Sequence, residues 1–236
     1  MSETSAPVYG TEESLGARLN ALRAGVLGAN DGIVSVAALL VGVVAAQPPT
    51  GVVVTAGVAG IAAGALSMGV GEYVSVSSQR DAERAQLERE RGYHDSHPEC
   101  ELDQLARLHE ETGMSPETAR RAAEEQTAFD PIAAHARAHL GIDPEDLVNP
   151  WHAAIASLSA FTAGGLIPLL VALFTPAPFT IPATFLAVLL SLGATGFLSG
   201  HLGQAQRRRA VLRNLVGGTL AMAITYGIGS FVGVHV

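Results

Sequence analysis

The chain of 236 residues contains no lysine, one cysteine and one tryptophan, and it carries no acidic residue after Asp146. A single cysteine excludes a disulfide framework and any Cys-rich zinc site. Charged residues make up 15% of the sequence, against roughly 25% in an average soluble domain. So little charge excludes a disordered chain, which needs low hydrophobicity and much charge. The formal net charge is −8, which speaks against nucleic acid as a partner. Several sequence motifs are also absent. No Gly-x-x-x-x-Gly-Lys-Ser/Thr loop is there to hold ATP phosphates. No Gly-x-Ser-x-Gly elbow and no His-Glu-x-x-His pair occur. Without Glu-x-x-His, a ferritin-like di-iron oxidase loses its ligand pattern. The expectation is that the protein is not an enzyme and needs no prosthetic group.

What is present is strongly segregated. Hydrophobic residues are 48% of the chain and the mean hydropathy is +0.31. Leu147–Gln206 and Asn214–Val236 contain no charged residue, and Ala24–Gln79 contains only Asp31 and Glu72. Arg80–Asp146 holds 17 acidic residues, eight arginines and five of the eight histidines. A membrane-crossing helix needs about 20 mostly apolar residues. Five segments meet that length, near residues 24–46, 51–79, 152–174, 181–204 and 212–234. So many helices without a polar face would leave a soluble protein nothing to turn toward water. The fold class expected is therefore all-α, a five-span transmembrane helical bundle with a small cytosolic helical domain inserted between spans 2 and 3. The expected divisions are a tail over 1–23, spans over 24–79, an acidic and His-bearing metal-binding domain over 80–150, and spans over 151–236.

Arginine predicts orientation, because positive charge marks cytosolic loops. Arg18 and Arg23 lie before the first span, eight arginines lie in the insert, and Arg207, Arg208, Arg209 and Arg213 lie before the last span; the intervening loops have none. The amino terminus, the insert and the 206–213 loop are expected in the cytosol. A polar tail before the first span gives no sign of a cleavable signal.

The insert reads as helices. The second span has no breaker and should continue as a rod until Gly92 and His97-Pro98 end it. A helix over about 99–112 is stopped by Gly113, and Ser115-Pro116 opens another that ends before Asp130-Pro131. A last one covers about 132–140, closed by Gly141. The apolar residues available for a core are Leu87, Leu102, Leu105, Leu108, Ala119, Ala122, Ala123, Phe129, Ile132 and Leu140, a thin set for so small a domain.

Two groups of residues are candidates for chemistry. In the insert, Glu83, Glu90 and His94 follow at spacings of seven and four and share one helix face. His97 and Glu101 are four apart, as are His135 and His139. Oxygen and imidazole ligands suit first-row divalent ions; an acidic helix face is also commonly just solvated, and a histidine pair structural. In the spans, Asp31 lies in Gly28-Ala29-Asn30-Asp31-Gly32, and an ionised carboxylate at such depth costs on the order of 2.5–3.5 kcal/mol on insertion scales. Met68 and Glu72 are four apart in the second span. A thioether beside carboxylates favours iron or manganese over magnesium or calcium. Taken singly, Met68 also fits as core filler and Glu72 as an interfacial charge.

These residues resemble the vacuolar iron transporter family, and its bacterial members in particular. The resemblance is carried by Leu27-Gly28-Ala29-Asn30-Asp31-Gly32-Ile33-Val34, by Gly64-Ala65-Leu66-Ser67-Met68-Gly69-Val70-Gly71-Glu72-Tyr73-Val74-Ser75, and by Leu140-Gly141-Ile142-Asp143-Pro144 followed by Asn149-Pro150-Trp151. It implies five-span homodimers that export Fe²⁺ or Mn²⁺ from the cytosol in exchange for protons, along a path at the dimer interface. It further implies that Asp31 and Met68 are the pore aspartate and methionine. Glu90 and Glu101 match two glutamates of a metal-gathering cytosolic domain. Tyr93 and Gln104 stand where the plant and parasite-type pattern has further glutamates, with His94 and Asp103 beside them. His135-Ala136-Arg137-Ala138-His139 replaces a Met-Met-x-x-Glu segment, and imidazole there would admit zinc or cobalt as well.

The mechanism expected joins both groups. The acidic insert concentrates cations, which pass to Glu72 and Met68 and then to Asp31. Protons from the far side neutralise Asp31 or Glu72 and release the metal. The membrane expected is a bacterial plasma membrane. The alternative is a membrane-tethered metal sensor or store, in which the spans only anchor; a membrane ferroxidase is a third reading.

Overall fold

The computed structural model describes residues 15–45, 48–176, 179–203 and 206–233. Among them there is no strand. The helices are α1 (Leu15–Ala45), α2 (Thr50–Ser96), α3 (Pro98–Glu111), α4 (Pro116–Phe129) and α5 (Pro131–His135), then a π-helical turn (Ala136–Leu140), then α6 (Pro150–Phe174), α7 (Thr180–Leu202) and α8 (Arg207–Gly233). Among the described residues four helices are long and apolar enough to cross a membrane: α1 from Leu19, α2, α6 and α7. The fifth span expected from the sequence falls in α8, whose 27 residues open on Arg207, Arg208, Arg209 and Arg213.

Proline sets where helices begin. Pro98, Pro116, Pro131 and Pro150 each open a helix, at a position whose N–H has no intrahelical acceptor. Ser115 and Asp130 cap α4 and α5, their side chains accepting from the backbone N–H of Thr118 (3.4 Å) and Ala133 (2.9 Å). Gly141 closes the π turn at φ +66°. Gly92, expected to help end the rod, does not; α2 runs through it to Ser96. A glycine costs a helix interior only about 1 kcal/mol, and the good helix formers Arg89, Glu90 and Arg91 precede this one. The stop comes at His97, which the ring of Pro98 holds outside the helical region, at φ −141°.

The chain divides into two compact units, one from the segments flanking Ser75–Asn149 and the other from Ser75–Asn149 itself. In the first, α1 is central. Val36 and Leu40 of α1 pack with Val53, Ile61 and Ala65 of α2 and Phe161 and Leu169 of α6. On another side, Ile33 and Ala37 of α1 pack with Val188 and Leu192 of α7 and Met222 of α8. In the second unit, Leu105 and Ala106 of α3 meet Ala123 of α4, with Leu102 and Ala134 against them. Phe129, expected in that core, is instead 92% exposed. It lies six residues past Ala123, about 240° round the helix from the buried face.

Candidate functional site

The segment Gly28–Gly32 of α1 serves three directions at once. Gly28 and Gly32 lie against the backbone carbonyls of Ser157 and Phe161 on α6; a Cβ on Gly28 would stand 2.5 Å from the Ser157 oxygen. Gly164 on α6 returns the fit against the carbonyl of Ala29. Small residues on both helices let the backbones touch, the main way helices adhere in lipid. Asn30 turns toward α7 and α8. Its Oδ1 accepts from Thr195 Oγ1 (2.7 Å) and from Asn214 Nδ2 (3.4 Å), and Asn214 also donates to Thr195 (3.4 Å).

Asp31 takes the third direction and is exposed on the surface of the single chain. It lines a cavity of about 280 Å³ with Ser35, Gly60, Gly64, Ser67 and Met68. It also lines a second cavity of about 370 Å³ with Asn30, Met68, Arg213 and Asn214. Asp31 and Met68 are common to both, so the structure brings these two sequence candidates together. Gly60 and Gly64, with no side chains of their own, leave the cavity its volume. Met68 is half-buried against the α1–α2–α6 cluster. Glu72, one turn further along α2, is buried, and its carboxylate accepts from the Arg23 guanidinium at 3.3 Å.

The second unit holds another cluster. Glu90 of α2, His135 of α5 and His139 of the π turn each offer one ligand atom, all within 4.8 Å of one another. His135 Nε2 is 3.6 Å from Glu90 and 3.3 Å from Glu101, and His139 Nδ1 is 3.8 Å from Glu90. His135 is only 2% exposed, and its Nε2 has no hydrogen-bond partner. Burial pushes the His135 imidazole below its ordinary range, while Glu90 and Glu101 pull the other way. A buried ring nitrogen without a hydrogen-bond partner, close to two carboxylates, is an arrangement that can ligate a metal.

Other candidates fall at different distances from this cluster. His94 influences His135 electrostatically, and its Nε2 is buried without a hydrogen-bond partner. Glu83 accepts instead from Gln79 (2.9 Å). Asp103 is taken by Arg120 of α4. Gln104, standing at a departure from the family pattern, reaches His139 at 3.4 Å. The sequence reading missed Arg23, Arg213 and the Asn30–Thr195–Asn214 triad. Arg23 and Arg213 each left a signal, as the last charge before a run of apolar residues.

Four helices among the described residues long and apolar enough to cross a membrane define a helical integral membrane protein. Comparison with known proteins narrows this. The VIT family matches residues 22–230. The chain is 44% identical over 209 residues to the vacuolar iron transporter of Acanthamoeba castellanii, covering 88% of this chain and 77% of that protein. It is 39% identical over 220 residues to vacuolar iron transporter homolog 1 of Oryza sativa subsp. japonica, covering 93% and 77%. It is 38% identical over 215 residues to vacuolar iron transporter homolog 3 of Arabidopsis thaliana, covering 91% and 84%. The chain belongs to the VIT family, a family of transporters and not of enzymes.

Proposed function

We propose that this protein carries Fe²⁺ or Mn²⁺ out of the cytosol through the Asp31–Met68 cavity, in exchange for protons. The observation that carries the reading is the shared lining of Asp31 and Met68, a hard and a soft donor facing the same space. The names of the relatives supply iron; the thioether suits iron better than magnesium or calcium, and the Asp31 carboxylate would also accept manganese. Asp31 is exposed in the single chain, and an intramembrane carboxylate left to lipid is costly. A second copy over the α1–α2 groove would cover it and double the ligands, so the working unit in this proposal is a homodimer. Protonation of Asp31 or Glu72 from the far side would discharge the metal, which makes the same oxygens serve both ions. The orientation rests on arginine, with the amino terminus, the Ser75–Asn149 unit and the 206–213 loop in the cytosol. The membrane, a bacterial plasma membrane, rests on the resemblance alone.

In the acidic unit, Glu90, Glu101, His135 and His139, with His94 beside them, would gather cations before transport. Two imidazoles in that set would also accept Zn²⁺ or Co²⁺. Glu83 stands outside this group in the proposal.

The test is uptake of Mn²⁺ or Fe²⁺ into proteoliposomes with an imposed pH gradient. Asp31→Ala and Met68→Ala should lower uptake at least tenfold, a loss of about 1.4 kcal/mol or more. Uptake equal to the parent in both variants would sink the reading. The second reading, a tethered sensor or store, is favoured if metal binds to the acidic cluster and no flux appears.

A further inference from the structure

Glu72 is 8% exposed and its carboxylate has a charged partner, Arg23 Nη2, at 3.3 Å. The same guanidinium nitrogen donates to Asn20 Oδ1 at 3.0 Å, while 57% of the Arg23 side chain stays open. Arg23 precedes Asp31 by eight residues, about 12 Å along α1, and Glu72 follows Met68 by four, about 6 Å along α2. The ion pair and the Asp31–Met68 pair are therefore successive stations on the same two helices. Building on the transport reading, we propose that Arg23 is a tethered cation that occupies Glu72, excludes monovalent ions from the mouth of the path, and yields only to a divalent metal.

The physical argument is competition. A buried, ionised carboxylate is costly unless it is paired with a positive charge, and removing the partner of a buried pair is strongly destabilising. A guanidinium attached one helix away supplies that charge at an effective concentration of millimolar or more, with a planar fork matched to carboxylate oxygens. A potassium or sodium ion brings one charge and its own dehydration cost, so it gains nothing by displacing Arg23. A divalent ion doubles the Coulomb attraction at the same distance. Arg23 can give way because most of its side chain already faces open space, and Asn20 offers the guanidinium a holding point once Glu72 is taken. Two cations cannot share the carboxylate at such distances without strong mutual repulsion. The exchange is therefore one for one, and Arg23 is a specificity-determining residue, whereas Asp31 and Met68 hold the cargo.

The experiment titrates the full-length, detergent-solubilised protein with Mn²⁺, reading the unbound ion by electron paramagnetic resonance, in buffers of K⁺ or of a bulky organic cation at equal ionic strength. Binding at the Glu90 cluster is a common background in every variant. Arg23→Gln should bind Mn²⁺ roughly two- to fivefold more tightly, the size of one ion-pair competition. K⁺ should weaken that binding in Arg23→Gln and leave the parent and Arg23→Lys unchanged. Arg23→Gln combined with Glu72→Gln should lose the gain. If Arg23→Gln matches the parent in both buffers, or binds more weakly, the proposal is overturned. Asn20→Ala removes the alternative acceptor and leaves the guanidinium to Glu72, so Mn²⁺ should bind more weakly than to the parent; where Arg23→Gln fails to fold, an unchanged Mn²⁺ affinity in Asn20→Ala overturns the proposal. Uptake by the parent and by Asp31→Ala judges transport separately, so loss of flux with the Mn²⁺ contrast intact removes the transport reading and leaves the guard at Glu72 standing.

Discussion

At the scale of single residues, neighbouring glycines of α1 do unlike work. Gly25 has nothing within 4 Å of where a Cβ would stand, whereas Gly28 and Gly32 abut α6 backbone. Gly28→Ala or Gly32→Ala should therefore destabilise by about 1–3 kcal/mol, the usual cost of overpacking, and lower the thermal midpoint in detergent. Gly25→Ala should leave that midpoint unchanged or raise it. Asn30→Ala deprives Thr195 and Asn214 of a shared acceptor. Intramembrane side-chain hydrogen bonds average about 0.6 kcal/mol each, so a loss of about 1 kcal/mol is expected in the same melt. The sequence showed Gly28–Gly32 as one unusual string. It did not show that the string faces three ways, because that depends on which helices surround α1.

At the scale of elements, the π turn is the informative departure. The sequence implied one helix over about 132–140, with His135 and His139 one turn apart; the structure has α5 passing into the π turn at Ala136, a widening common at functional sites. His135 ends α5 and is buried; His139 lies in the π turn and is exposed. Burial holds the imidazole of His135 below its ordinary value, so below about pH 6.5 the unfolded chain binds more protons than the folded one. The stability this contributes is fully present above about pH 6.5 and is lost as pH falls toward the lowered folded value. Metal-free protein should show protection factors against amide exchange in α3 and the π turn that fall on acidification through that range. His135→Gln should flatten the dependence. A pH profile identical to the parent's would contradict this assignment. The same unit shows why Phe129 was misread: composition counts it as core, but its angle on α4 turns it outward.

For the whole molecule, charge segregation is the dominant property. The Ser75–Asn149 unit carries 17 acidic residues against eight arginines, and no acidic residue follows it. A field of that sign enriches cations nearby and is screened over about 10 Å at 0.1 M salt. If the unit supplies metal to the path, half-saturation for Mn²⁺ uptake should rise with ionic strength. Replacing exposed Glu110, Glu111 and Glu117 by glutamine should reproduce that rise at low salt and have little effect at high salt. Uptake kinetics over a salt series check both. An equal response of parent and triple variant would show that the acidic unit does not act through its field.

The sequence alone determined the helical class, the separation of apolar and acidic blocks, the family, and Asp31 and Met68 as candidates. Hydropathy and helix periodicity are local, set by residues within a turn or two of one another, and are read directly from the chain. The tertiary structure alone decided that Glu72 pairs with Arg23 across 49 residues, that Asn30 meets Thr195 and Asn214 across 165 and 184, and that Glu90 faces His135. Partners so far apart are chosen by the register of one helix on another. That register follows from which glycines and carbonyls touch, a relation between segments that neither segment carries by itself.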